Sequence, residues 1–295
     1  MPRATVNGVD TSYEVVGDGA SVVLYIHGGF GGGSTTFVSR ERAVGKIFPR
    51  DKVTTVMYDR RSAGQSEYVL TPYQLPDLAA DARALLGELG VERSVVIGDS
   101  MGGMVALEYA LIYPQYVTAL GLVETGADLM AETPWGTHMR EIVEQAATLG
   151  DQAFFKSQKN ELRNPATMSS DMGPETPEAQ ESLAQGHQAY LDALPDVSDA
   201  DLFTYTMGMI RNFGAFVGYD YGPRLSELRM PVYVIHGTVD VTVPFEYGQA
   251  LHRGIPHSEL DAIEGARHML LDYPEAAAAL RDWVLRTVAQ GTAAG

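Results

Sequence analysis

A chain of 295 residues, 45% hydrophobic and 20% charged, can bury a large core and fits one large domain or two small ones at roughly 150 residues per domain. The absence of cysteine excludes disulfides, thiolate metal ligands and a cysteine nucleophile. Twenty-one Lys and Arg against 38 Asp and Glu give a net charge of −17, which repels phosphate backbones and anionic headgroups and argues against nucleic acid or a membrane as partner. Along the chain, Met1-Pro2-Arg3-Ala4-Thr5 leads into polar, strand-like sequence with no signal-peptide stretch. No later window approaches the roughly 18 apolar residues of a membrane span, so the expected location is cytoplasmic.

Up to about residue 123, short β-branched runs alternate with helical patterns, which is how a sheet covered by helices reads. Thr11 to Val16 and Val22 to Ile26 are the first two strands. Gly17-Asp18-Gly19-Ala20 between them tolerates positive φ and predicts a hairpin or tight connection. Strands at Val53 to Tyr58 and Ser94 to Ile97 flank a helix whose apolar face is Leu78, Leu85, Leu86 and Leu89. Pro76-Asp77 opens that helix and Gly90 ends it. Val117 to Val123 is the next strand, and Pro231 to Ile235 resumes the pattern more than a hundred residues later. A helix, a short strand at Glu259 to Ile263 and a final helix around Glu275 to Val288 complete it.

The interruption, residues 126–222, lacks strong strand runs, carries Met, Phe and Tyr at helical spacings, and has 15 acidic against 5 basic residues. It reads as an inserted helical lid, divided by the turn-rich Asn164 to Pro177. The expected organisation is therefore a core of 1–125 and 223–295 with a lid of 126–222.

Gly98-Asp99-Ser100-Met101-Gly102 fits the G-x-S-x-G pattern, in which a sharp strand-to-helix turn presents the serine hydroxyl. The buried strand Ser94 to Ile97 before it and the apolar helix positions Met104, Val105, Leu107, Leu111 and Ile112 after it supply the required context. The serine then sits at a helix N-terminus, where free N–H groups favour developing negative charge. Acyl transfer also needs oxyanion donors. One expected donor is the Met101 N–H, and the other comes from His27-Gly28-Gly29-Phe30, directly after Val22 to Ile26, with Gly29 preferred and Phe30 next.

A serine hydroxyl needs an imidazole to take its proton, and the imidazole needs a carboxylate. Of seven histidines, His268 lies after the short strand and before the last helix, where a base reaches the sheet's C-terminal edge. His27 reads as ordering the glycine loop and His236 as ending a buried strand. His138 and His187 fall in the lid, and His252 and His257 in surface turns. For the acid, Asp240 follows the strand ending at His236, and the order Ser, Asp, His suits the architecture. Glu124, at the end of Val117 to Val123, is the alternative acid. Asp99 points to the opposite face by strand alternation and reads as structural.

Together these residues resemble the α/β-hydrolase family, in particular its lidded esterase, lactonase, carbon–carbon-bond hydrolase and proline-iminopeptidase branches. The shared features are His27-Gly28-Gly29, Asp59-Arg60 followed by Gly64-Gln65-Ser66, the Gly98 to Gly102 turn, the Gly237 to Pro244 loop and His268. The resemblance implies an α/β fold, a mostly parallel sheet flanked by helices, and hydrolytic activity. Iminopeptidase-like members usually carry proline after His-Gly-Gly and tryptophan after the nucleophile, where this chain has Phe30 and Met101. Epoxide hydrolases and haloalkane dehalogenases of this fold use an aspartate nucleophile, where this chain has Ser100.

The expected function is a serine hydrolase acting on a small, partly apolar ester or lactone through an acyl-enzyme on Ser100, with no organic cofactor or metal required. The alternatives are hydrolysis of a carbon–carbon bond or an N-terminal proline-type amide by the same residues and, from another class, a non-hydrolytic ligand-binding protein on the same scaffold. The acidic lid residues Glu161, Glu175 and Asp201 are candidate amine binders under the amide alternative. The sequence leaves the oligomeric state open.

Overall fold

A computed structural model describes residues 2–29, 46–131, 134–162, 177, 181 and 197–293. An eight-stranded sheet is built from β1 (Arg3–Val6), β2 (Val9–Val16), β3 (Ser21–Ile26), β4 (Val53–Tyr58), β5 (Ser94–Asp99), β6 (Val117–Val123), β7 (Val232–Gly237) and β8 (Glu259–Ile263). Its spatial order is β1-β2-β4-β3-β5-β6-β7-β8. Pairings from β4 to β8 are parallel, while β1 with β2 and β2 with β4 are antiparallel.

At the N-terminal edge a strand, β1, precedes the one expected first at Thr11 to Val16, and the hairpin lies elsewhere than at Gly17 to Ala20. Of the hairpin or tight connection expected at Gly17 to Ala20, the tight connection forms, because β4 lies between β2 and β3. The hairpin instead joins β1 to β2 at Asn7-Gly8, whose φ values of 50° and 80° are the paired positive angles that a tight two-residue turn demands. The Gly17 to Ala20 segment packs against the chain entering β4: a Cβ on Gly19 would lie 2.1 Å from the Lys52 carbonyl carbon. Its glycines allow that close approach while the chain reverses direction across β4, without pairing β2 to β3.

Parallel strands buried on both faces read as continuous apolar runs, and β3, β5, β6 and β7 do so. Side-chain alternation divides them between two cores. Leu24, Ile26, Val96, Leu120, Leu122 and Val234 lie in one core with α1 (Leu75–Glu88) and α2 (Met101–Ile112). Val23, Tyr25, Val95, Ile97, Tyr233 and Ile235 lie in the other core with α7 (Pro274–Ala293), where Trp283 stacks on Tyr233 with ring centroids 5.1 Å apart. In α1, Asp77 is the third helical residue and accepts from the Gln74 N–H at 2.8 Å, so the acid completes a capping box from inside the first turn.

Between β6 and β7 the described residues form α3 (Pro134–Leu149), α4 (Asp151–Leu162) and α5 (Asp199–Phe216); α6 (Phe245–Gly254) follows β7. Helix α5 is seated on the loop after β4. A Cβ on Gly208 would come within 2.6 Å of the Tyr68 ring, Arg211 donates to the Leu70 carbonyl at 2.6 Å, and Asn212 donates to the Arg61 and Ser62 carbonyls at 3.0 and 3.2 Å. The turn-rich stretch from Asn164 lies, up to residue 176, outside the described residues. No helix among the described residues is long and apolar enough to cross a membrane.

Candidate active site

The residues singled out by sequence come from four loops at the C-terminal edge of the parallel strands, after β3, β5, β6 and β7, and from the turn after β8. Ser100 follows β5 and precedes α2 with φ 51° and ψ −121°, a left-handed conformation that costs a non-glycine residue roughly 1–3 kcal/mol. Surrounding bonds hold it there. Its N–H donates to the Val123 carbonyl at 2.9 Å, and its own carbonyl accepts from the Thr125 hydroxyl at 2.7 Å and the Gly103 N–H at 2.8 Å.

The glycines of this turn are required by contact. A Cβ on Gly98 would sit 2.5 Å from the Gly102 carbonyl oxygen, and one on Gly102 would sit 2.1 Å from the Ile26 carbonyl oxygen. Asp99 faces the other core and accepts from the Tyr25 hydroxyl at 2.5 Å, as strand alternation requires.

His268 lies with Nε2 3.1 Å from Ser100 Oγ and Nδ1 2.7 Å from Asp240 Oδ2. All three residues are buried. Asp240 Oδ1 accepts from the Thr242 and Val243 N–H groups at 2.8 and 2.9 Å, so three donors converge on one carboxylate. An ionised carboxylate only accepts, which puts the neutral imidazole's proton on Nδ1 and leaves Nε2 to accept from the serine hydroxyl. The arrangement is one in which an alcohol can lose its proton to a base already fixed in orientation. Glu124 Oε2 stands 3.6 Å from the same Nδ1, beyond hydrogen-bond distance, and accepts from the Leu270 N–H at 2.7 Å.

The glycine loop lies alongside. A Cβ on Gly28 would be 2.9 Å from Ser100 Cβ. His27 Nε2 accepts from the Arg60 N–H at 3.1 Å, which puts the ring proton on Nδ1 to donate to the Gly28 carbonyl at 2.6 Å. In a planar trans peptide the Gly29 N–H points opposite the Gly28 carbonyl, so this bond aims it away from His27. The Gly29 carbonyl is held by Arg60 Nη2 at 2.6 Å. Met101 is the first residue of α2, where an N–H has no intrahelical acceptor. Phe30 and the glycines after it lie outside the described residues, as do His187 and Glu175.

Sequence reasoning missed two contributors, Asn212 and Thr125. Buried Arg60 bonds Asn212 of α5 at 3.1 Å across 152 positions, a link with no local signal. Thr125 could have been suspected as the polar residue that follows Glu124 at the end of β6. Asp201 is engaged at the start of α5, where Ser198 donates to its carboxylate at 2.7 Å and accepts from its N–H at 3.1 Å.

His236 is buried at the end of β7. Its Nε2–H donates to the Val243 carbonyl at 2.8 Å, and Nδ1, packed against Gly248, has no hydrogen-bond partner among the described residues. Burial pushes its pKa below the ordinary 6.5, against the raising influence of the Val243 bond, Asp240 and Glu246 and with that of His268. The unfolded chain therefore takes up this proton first as the pH falls through about 6.5, and the stability present above that point is lost toward the folded value. The urea midpoint should fall between pH 7.5 and 5.5 by more in the native protein than in His236→Gln, whose amide keeps the donor to Val243; equal falls would remove His236 as the cause.

Residues 21–274 match the family described as alpha/beta hydrolase fold, and the chain belongs to that family. It is a hydrolase of this fold. Among its relatives is a Cronobacter sakazakii protein named "Putative carbamate hydrolase RutD", 30% identical over 251 residues that cover 85% of this chain and 84% of the relative. Among solved structures it resembles MGS-M2, an alpha/beta hydrolase from a Medee basin deep-sea metagenome library, with a TM-score of 0.73, 20% identity and coverage of 98% and 97%. It also resembles the enol-lactonase of Burkholderia xenovorans LB400, with a TM-score of 0.69, 21% identity and coverage of 98% and 100%.

Proposed function

We propose that the protein is a serine hydrolase cleaving a small, partly apolar ester or lactone through an acyl-enzyme on Ser100. The observation that carries this reading is the buried series Ser100, His268, Asp240 at 3.1 and 2.7 Å, with the serine held in a strained turn at a helix N-terminus. His268 Nε2 takes the serine proton as Oγ attacks the acyl carbon, and Asp240 stays ionised and stabilises the imidazolium. The Met101 and Gly29 N–H groups receive the negative charge on the tetrahedral oxygen. His268 then protonates the leaving alcohol, and water activated by the same imidazole releases the acid. The insertion between β6 and β7 acts as a lid that limits access to a small substrate, which reaches the site without nucleic acid, membrane or metal.

A second reading has one specific support, the carbamate hydrolase name borne by the Cronobacter relative. The same serine and base would then attack a carbamate carbonyl. Both readings are tested together. A fluorophosphonate should add to the peptide carrying Ser100, as read by mass spectrometry, and purified protein should be assayed on p-nitrophenyl esters, small lactones, carbamates, a proline anilide and a vinylogous ketoacid. Faster turnover of carbamate than of any ester or lactone replaces the first reading with the second. Absence of labelling, with tight binding of an unreacted small molecule, removes both.

A further inference from the structure

We infer that Glu124 is a second carboxylate for the His268 imidazole, a positioning residue that holds its loop and stands in reserve for Asp240. The inference rests on the serine-hydrolase reading above and deepens it. Two carboxylates from the ends of adjacent parallel strands converge on one ring nitrogen, Asp240 Oδ2 at 2.7 Å and Glu124 Oε2 at 3.6 Å from His268 Nδ1. All three groups are buried, and one donor atom from each falls within 4.8 Å of the others.

The backbone shows that Glu124 is held in this position at a cost. Its φ is 41°, in the left-handed region where glycine would be relaxed. Its N–H donates to the Ile235 carbonyl at 2.9 Å, tying the strained residue to β7. Its carboxylate accepts at 2.7 Å from the N–H of Leu270, two residues beyond His268, and Met269 between them is also left-handed at φ 64°. Glu124 thus fixes the turn on which the imidazole rides. Its Oε2 also lies only 3.6 Å from Nδ1. A structural acceptor for Leu270 needs only a carbonyl oxygen; a carboxyl group beside a base that becomes cationic can serve the chemistry as well. When Asp240 is present, the proton on Nδ1 stays with it. When Asp240 is removed, Nδ1–H is left to Glu124, which keeps the tautomer that Ser100 requires.

The test is a cycle of Glu124→Gln, Asp240→Ala and the double variant, reading kcat on a short p-nitrophenyl ester and the rate of fluorophosphonate labelling. Glutamine keeps an acceptor for the Leu270 N–H and removes the carboxyl group. Glu124→Gln should lose less than tenfold in the native background and a further hundredfold or more in Asp240→Ala. The same factor in both backgrounds would mean a structural role alone and overturn the inference. If Glu124→Gln does not fold, Asp240→Ala is compared with Asp240→Asn, whose amide can donate to Nδ1 and hold the wrong tautomer. The alanine variant should be at least tenfold more active, and an alanine variant no better than asparagine overturns the inference equally. Native protein that is not labelled at Ser100 would instead remove the underlying reading.

Discussion

Ser100→Ala is expected to lose about a millionfold in kcat on any ester or lactone the native protein turns over, while its thermal midpoint stays within about 2 °C of native. The loss is large because the serine and imidazole act as a unit: without Oγ, His268 Nε2 has nothing to deprotonate, and its partner at 3.1 Å is gone. Residual rate comes from the oxyanion donors and from substrate binding alone. The fold should persist because every bond holding this turn uses backbone atoms of residue 100, from Val123, Thr125 and Gly103, and alanine keeps them. The strain at φ 51° is the same for both side chains. Steady-state kinetics with a melting curve checks this. Retained turnover in a folded variant would place the nucleophile elsewhere.

Gly102→Ala is expected to cost about 3 kcal/mol of stability, although alanine is intrinsically the better helix former. The new Cβ would meet the Ile26 carbonyl oxygen at 2.1 Å and the His27 carbonyl oxygen at 2.5 Å, which are backbone atoms and cannot rotate aside. Relief requires α2 to move away from the end of β3, pulling the Gly28 loop from Ser100 and lowering activity as well. Gly87→Ala is the control. It is also helical but has nothing within 4 Å of the added Cβ, so it should gain about 0.5–1 kcal/mol. Urea unfolding of the two variants gives both signs; equal effects would show that contact is not what keeps glycine at position 102.

The parts of this molecule legible in sequence were those whose cause is local. The strand before Ser100, the glycines around it and the apolar helix after it lie within about twenty residues, and each is required by the turn they build. β6 and β8 end where their β-branched or alternating runs end. Asn7-Gly8 was equally local; its paired positive φ values make it the hairpin, while Gly17 to Ala20, richer in turn residues, serves a close approach to β4. Turn composition shows that a chain can bend, and strand pairing decides which bend returns it to its neighbour.

What the linear order could not supply was rank among residues that reach one place from far apart. Asp240 and Glu124 both follow parallel strands at the same edge, so either could be placed near His268 from sequence. Their separation from Nδ1, 2.7 against 3.6 Å, depends on how β6 and β7 are paired and how the Leu270 turn is bonded. Asn212 reaches Arg60 only because Gly208 lets α5 lie against the loop after β4. Residue types and short-range spacing specify which chemistry the chain carries, since backbone sterics and side-chain acidity are properties of a few neighbouring residues. Which carboxylate meets the imidazole, and what steadies the glycine loop, follow from differences of about an ångström between segments a hundred or more residues apart, which packing alone sets.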